Sequence, residues 1–208
     1  MSLNILNRKF RYTYTNVTYK IIGLNIAVFL LSYIFPRIQL RLALVPSYII
    51  VYKWYWQFVT YMFVHGGFSH LFFNMLGLFF FGRPVEQRIG SREFLLFYLM
   101  TGFLSGLFSF ISYVIGGTNV ILVGASGAIY AVLLAFATFY PFARIFVFGL
   151  IPVRAPLLVV IYTFIELSNQ IGGRGGNVAH LTHLAGLGFA YLYFLIRLKI
   201  NPIDYWRR

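Results

Sequence analysis

The 208-residue chain contains no cysteine, and only four of its residues are acidic. Without cysteine there is no disulfide, no thiolate nucleophile and no cysteine-ligated zinc, and the redox compartment leaves no mark on the composition. Charged residues of both signs together make up only 10% of the chain, while hydrophobic residues reach 60%. That balance cannot supply the charged shell of a soluble domain and instead reads as a polytopic membrane protein. Each span needs roughly 20 residues, so the length suits one compact bundle and leaves no room for a separate soluble domain.

The formal net charge of +13 raises the question of a nucleic acid partner. The basic residues, however, punctuate the ends of apolar runs and never build one long basic face, so they read as membrane orientation and no nucleic acid is expected. The N-terminal "MSLNILNRKFRYTYTNVTYK" is polar and basic, and no small-residue cleavage site follows the apolar run behind it. An uncleaved first span is expected.

Six apolar stretches emerge, at about 20–35, 67–82, 94–115, 125–141, 154–170 and 178–198. The expected fold class is therefore all-α, a membrane bundle of six transmembrane helices. An even number of spans puts both termini on one side. With the termini inside, the inner segments hold Arg8, Lys9, Arg11, Lys20, Arg83, Arg88, Arg92, Arg144, Arg154, Arg197, Lys199, Arg207 and Arg208, thirteen of the 17 basic residues. Arg37, Arg41, Lys53 and Arg174 are left outside. The positive-inside rule then predicts cytoplasmic residues 1–19, a six-span domain over 20–198 and a cytoplasmic tail at 199–208. The long outer connection from Pro36 to Phe68 carries Trp54, Tyr55 and Trp56, which favours a loop dipping into or lying along the membrane. "GGRGGN" at 172–177 is expected to be a flexible outer link. No internal repeat suggests inverted transporter halves.

Polar side chains in lipid are costly and therefore informative: His70, Asn74, Ser126, Glu166, His180 and His183. His70 and Asn74, four apart, share one face of the second span. Ser126 opens the fourth span and His180 and His183 open the sixth, so the charge-derived topology gathers five of these residues in the outer half, near helix N-termini. Ser126 can attack a carbonyl if a neutral imidazole takes its proton, with His70 and Asn74 donating to the oxyanion. A carboxylate is not obviously needed. Gly124 and Gly127 flank the serine and permit close approach. Tyr130, four residues on, faces the same way and can pack on an imidazole of span six. His183, Gly186 and Ala190 form a strip at i, i+3 and i+7, suited to bringing span six against span four.

Plainer accounts stand beside these. Taken alone, "GASG" is more often a packing motif, and His70 with Asn74 makes an equally good interhelical hydrogen-bonded pair. His180 and His183, together with His65 and His70, offer imidazoles to a metal, although no HExxH-type pattern accompanies them. Glu166, towards the outer end of span five, reads as interfacial or hydrogen-bonded, and a proton-relay role would make it a transporter residue. Glu86 and Glu93 lie among Arg83, Arg88 and Arg92, where local ion pairing is the simplest account.

Three stretches in this order, "WYWQFVTYMFVHGGFSHLFFNMLGLFFFGRPVE", "GASGAIYA" and "AHLTHLAGLGFAYLY", resemble the rhomboid intramembrane serine proteases. The resemblance runs from about Trp54 to Tyr193 and includes the linking "FARIFVFGLIPVRAP". It implies that Ser126 is the nucleophile and His183, followed by "LAG", its general base. It further implies that His70, Asn74 and the Ser126 backbone amide line the oxyanion hole, that Tyr130 stacks on His183, and that the bundle has six helices. The family commonly has Trp-Arg where this chain has Trp56 and Gln57, so a different loop anchoring is expected, and glycine where this chain has Ala190.

The function expected from the resemblance is hydrolysis of peptide bonds in or near transmembrane segments of membrane-protein substrates. The reaction would pass through an acyl-enzyme, without cofactor or metal, in the outer half of a bacterial inner membrane. The alternatives are a non-catalytic rhomboid-like protein that binds client spans, and a small transporter using Glu166 and the histidines.

Overall fold

The computed structural model describes residues 10–147, 149–172 and 177–207. Arg8, Lys9, Arg174 and Arg208, and most of the "GGRGGN" link, lie outside the described residues. The chain is about 75% helical. Its helices are α1 (Val17–Ile34), α2 (Pro36–Leu42), α3 (Pro46–Tyr52), α4 (Gln57–Thr60), α5 (Phe68–Gly77), α6 (Arg83–Ile89), α7 (Ser91–Ile115), α8 (Ser126–Phe139), α9 (Ala155–Gly172), α10 (Asn177–Tyr193) and α11 (Pro202–Trp206). A π-helical turn, Leu78–Gly82, joins α5 to α6, and another, Phe194–Leu198, extends α10.

One correction to the all-α expectation is a small antiparallel hairpin between α8 and α9, in which β1 (Arg144–Val147) pairs with β2 (Ile151–Arg154). Its alternating Ile145, Val147 and Val153 pack partly against the core, which suits the period of a strand better than that of a helix.

Among the described residues, four helices are long and apolar enough to cross a membrane: α1, α7, α9 and the stretch His180–Leu198. A fifth span is reached if the bent pair Gln57–Phe63 and Phe68–Ile89, which turn through 94°, is taken as one. The patterning is inverted relative to a soluble bundle. In α1 the buried positions are Thr18, Ile21, Asn25 and Ser32, whereas Leu24, Leu30 and Leu31 face outward. In the middle of α7, over residues 101–111, the buried face carries Thr101, Gly102, Ser105, Gly106 and Ser109, with Phe103, Phe108 and Ile111 outside, whereas Phe94, Phe97, Tyr98 and Tyr113 are buried towards its ends. Hydrocarbon solvates large apolar side chains as well as the core does, so small and weakly polar residues are the ones directed inward, where backbones approach. The protein is an integral membrane protein.

The small residues of α7 are used at once. Tyr61 donates its hydroxyl to the Gly102 carbonyl at 2.7 Å, and a Cβ on Gly106 would lie 2.6 Å from the Tyr61 ring. Ser109 and Thr182 share a hydrogen bond of 2.7 Å between α7 and α10.

α8 is the central element. Ala128, Ala131 to Ala135, Ala137 and Thr138 are all buried, and the helix packs against α7, α9 and α10. The crossing of α8 with α10 is backbone on backbone: a Cβ added to Gly186 would collide with the Gly127 carbonyl oxygen, and one added to Gly127 would lie 3.1 Å from Ser105 and Thr182.

The expected ion pairs around Glu86 and Glu93 are also corrected. Glu86 is fully buried and accepts from the Val17 and Thr18 amides at 2.7 and 2.8 Å, from the Thr18 hydroxyl and from Ser91. It therefore serves the first turn of α1, where Asn16, the residue just ahead of the helix, makes no side-chain cap. Glu93 pairs with Arg197 from the far end of the chain, at 2.8 and 2.9 Å. Arg83, Arg88 and Arg92 are closer in sequence, but a buried carboxylate near a helix start is better satisfied by amides and by a single well-placed guanidinium.

The connection after α1 is folded rather than irregular. Gln57, fully buried, accepts from the Val45 amide at 3.0 Å and donates to the Leu40 and Arg41 carbonyls at 3.2 and 3.3 Å. Trp56 and Thr60 donate to Arg41 and Leu42, and Tyr48, Tyr52, Trp54 and Trp56 form a chain of ring contacts. An amide with both a donor and an acceptor can bind the loop in both senses, which a guanidinium cannot.

α1 begins at Val17, a few residues before the expected position 20, and the segment after Lys199 forms α11, whose Trp206 packs against the core. Gly186→Leu is expected to cost at least the about 1–3 kcal/mol typical of overpacking and to lower the thermal unfolding midpoint in detergent. An unchanged midpoint would show that α8 and α10 do not need backbone contact.

Candidate active site

Ser126 is the first residue of α8. The chain reaches it through an extended segment in which Leu122 exchanges two backbone hydrogen bonds with Leu44, and Gly124 donates to the Tyr61 carbonyl at 3.0 Å. Gly124 has φ +115°, and a Cβ there would stand 2.7 Å from the His70 ring. The position thus demands glycine twice, for the backbone angle and for the imidazole packed on it.

The serine hydroxyl lies 2.7 Å from Nε2 of His183. The ring of His183 is stacked on Tyr130, with centroids 4.4 Å apart and planes within 6°. On the opposite edge of the same ring, Nδ1 lies 2.9 Å from Oε1 of Glu166. Glu166 also accepts from the Tyr130 hydroxyl, and its Oε2 lies 2.5 Å from Nδ1 of His180. Glu166 is only 5% exposed. The hydrogen-bonded expectation for it describes what is seen. A carboxylate taken out of water needs full hydrogen bonding to be tolerated, and here three side chains provide it.

A cavity of about 360 Å³ opens beside the hydroxyl, lined among others by His70, Asn74, Gly124, Ser126, Tyr130 and His183. His70 and Asn74 come from the first two turns of α5. Asn74 donates one amide hydrogen to the His70 carbonyl at 2.7 Å, and an amide nitrogen carries a second. His65 is buried with its ring 5.0 Å from that of His70.

Six residues singled out from the sequence, Ser126, His183, His70, Asn74, Gly124 and Tyr130, thus border one cavity. Gly127 and Gly186 lie behind it at the helix crossing. The four histidines do not converge on one point. The group of metal-capable side chains among the described residues is Glu166, His180 and His183, without His65 or His70. Its Nδ1 to carboxylate separations of 2.5 and 2.9 Å are hydrogen-bond distances. They fall short of the about 3.3 Å that separates tetrahedral ligands each roughly 2.0–2.1 Å from zinc.

Glu166 is the residue that the sequence reading set aside. It sits in the C-terminal half of α9 rather than near a helix N-terminus, so the pattern linking the other polar residues did not include it. The available signal was its depth: the C-terminal end of a span running opposite to α8 and α10 reaches the same layer as their N-termini.

Chemically, the arrangement places a hydroxyl against the lone pair of an imidazole whose far nitrogen faces a carboxylate, with hydrogen-bond donors across a small cavity. Residues 52–200 match the Rhomboid domain. The chain belongs to the rhomboid family. It is 30% identical over 146 residues to a Bacillus subtilis protein that carries the name of a rhomboid protease, covering 70% of this chain and 69% of that one. It is 29% identical over 186 residues to the mitochondrial rhomboid protein 1 of Saccharomyces cerevisiae, covering 86% and 52%. With the chloroplastic Rhomboid-like protein 11 of Arabidopsis thaliana it shares 40% identity over 77 residues, 37% of this chain and 26% of the relative. The chain therefore spans about half the length of the yeast relative and about a quarter of the plant one.

The cavity is sensitive to volume at Gly124. Gly124→Ala is expected to cost about 1–3 kcal/mol of backbone strain and to displace His70. A wild-type unfolding midpoint in that variant would mean that the ring moves aside freely.

Proposed function

We propose that the protein is an intramembrane serine endopeptidase that cleaves membrane-protein substrates in or near their transmembrane segments. The observation that carries this reading is the 2.7 Å contact between the Ser126 hydroxyl and Nε2 of His183 at the edge of the cavity. In the proposed reaction Ser126 Oγ attacks the scissile carbonyl as its proton passes to Nε2 of His183. The oxyanion is held by His70, Asn74 and the Ser126 amide, and the proton then goes to the leaving amine. Water, activated by the same imidazole, releases the acyl group and restores the serine.

A six-span topology belongs to this proposal, with α8 as the short central span. Its 14 residues cover about 21 Å, less than a hydrocarbon core of about 30 Å. In this scheme the extended segment ahead of it makes up the difference. Both termini are placed in the cytoplasm of a bacterial cell and the site in the outer half of the inner membrane, from the distribution of basic residues. Residues 20–198 form the membrane domain of this scheme, between a cytoplasmic segment at 1–19 and a tail at 199–208. A bond in a helical segment is shielded by its own backbone, so substrates whose spans unwind near small residues fit a cavity of this size.

Ser126→Ala and His183→Ala are each expected to abolish cleavage of a single-span substrate in liposomes, and Ser126→Ala to abolish covalent labelling by a fluorophosphonate. Client binding without labelling in the wild type would favour a non-catalytic binder, and solute flux surviving Ser126→Ala a transporter. His70→Ala and Asn74→Ala are expected to lower turnover by about 10- to 1,000-fold. Lower yield with unchanged specific activity would assign them to packing alone.

A further inference from the structure

A serine and an imidazole suffice for the reaction proposed above, yet the imidazole is not left to itself. His183 is engaged on opposite edges, by Ser126 at Nε2 and by Glu166 at Nδ1. A carboxylate only accepts, so the hydrogen of the neutral ring resides on Nδ1 and the lone pair of Nε2 is turned to the serine hydroxyl. The opposite tautomer would set an N–H against that hydroxyl and a lone pair against a carboxylate.

The surroundings of Glu166 are built for this task. Oε1 receives both His183 and the Tyr130 hydroxyl, while Oε2 faces Nδ1 of His180. Tyr130 thereby touches the same imidazole twice, through its stacked face and through the carboxylate it shares with it. His180 and His183 are three residues apart on α10, so both point at α9, and His180 fixes the rotation of the carboxylate about its own axis. The three contacts join α8, α9 and α10 at the level of Ser126.

We propose that Glu166 is a positioning residue of the active site, completing a Ser126–His183–Glu166 triad in which the carboxylate selects the tautomer of His183 and stabilises the imidazolium. The inference rests on the serine-protease reading. In the acylation step the Ser126 proton moves to Nε2, the Nδ1 proton stays on the ring, and Glu166 gains none. The positive charge formed on His183 then lies 2.9 Å from a negative one.

The test compares wild type with Glu166→Gln in liposomes, measuring kcat and KM for a single-span substrate alongside the rate of fluorophosphonate labelling. The expected result is a fall in kcat of about 100- to 10,000-fold, as when a triad carboxylate is made an amide. KM should stay within about threefold, and labelling should slow in parallel, since the small probe needs an activated Ser126 but no docked helix. A folded Glu166→Gln enzyme with unchanged kcat and labelling overturns the role, as does a change confined to KM.

Should the variant fail to fold, nitrogen-15 histidine NMR of the wild type decides. A His183 ring with its proton on Nδ1 supports the role, and one with its proton on Nε2 overturns it. A wild type that never labels at Ser126 defeats the protease reading itself, an outcome distinct from a labelled wild type matched by Glu166→Gln.

Discussion

The approach of α8 to α10 at Gly127 and Gly186 is the contact on which the rest of the structure depends. Because a Cβ at Gly186 would collide with the Gly127 carbonyl, the helices meet with nothing between their backbones. One turn before Gly186 on α10 stands His183, and Ser126 immediately precedes Gly127 on α8, so the same contact sets the 2.7 Å between hydroxyl and imidazole. A crossing widened by even one methyl group would take the imidazole out of hydrogen-bonding range. Packing and chemistry are therefore two consequences of one geometric constraint.

Around that crossing several buried polar groups find their partners inside the bundle. Glu86 serves amides of α1, Glu93 meets Arg197, Ser109 meets Thr182, and Gln57 ties down the connection that follows α1. In hydrocarbon the outward face offers no hydrogen bonds, so each of these groups must find its partner inside, often from a distant part of the chain. That same rule gathers Tyr130, His180 and His183 on Glu166. A buried carboxylate with three donors is held rigidly, and a rigid carboxylate can hold an imidazole in one orientation.

Much of this was legible along the chain. The apolar runs foretold where α1, α7, α9 and α10 lie, because a helix that faces lipid must be apolar over its whole length. The small residues at 124, 127 and 186 foretold close approach, since few side chains other than hydrogen fit where two backbones touch. His70 and Asn74, four apart, were recognisable as one face of a helix. The hairpin of β1 and β2 was not legible, because short alternating runs between spans read as loop. Neither were the partners of Glu86 and Glu93, since nearness in sequence suggested Arg83, Arg88 and Arg92 where distant amides and Arg197 in fact lie.

The sequence by itself determined membrane residence, family membership and the small set of polar residues that chemistry in a bilayer could use. Those properties are local: apolar runs, spacing and residue type. Only the tertiary structure decided that Glu166 stands against His183, that His180 turns to the same carboxylate, and that Gln57 anchors a folded connection. Such partnerships join residues 12 to 17 positions apart or more, across helices whose relative rotation no periodicity reports. Rotation about a helix axis is settled by packing, and packing is a property of all the helices together.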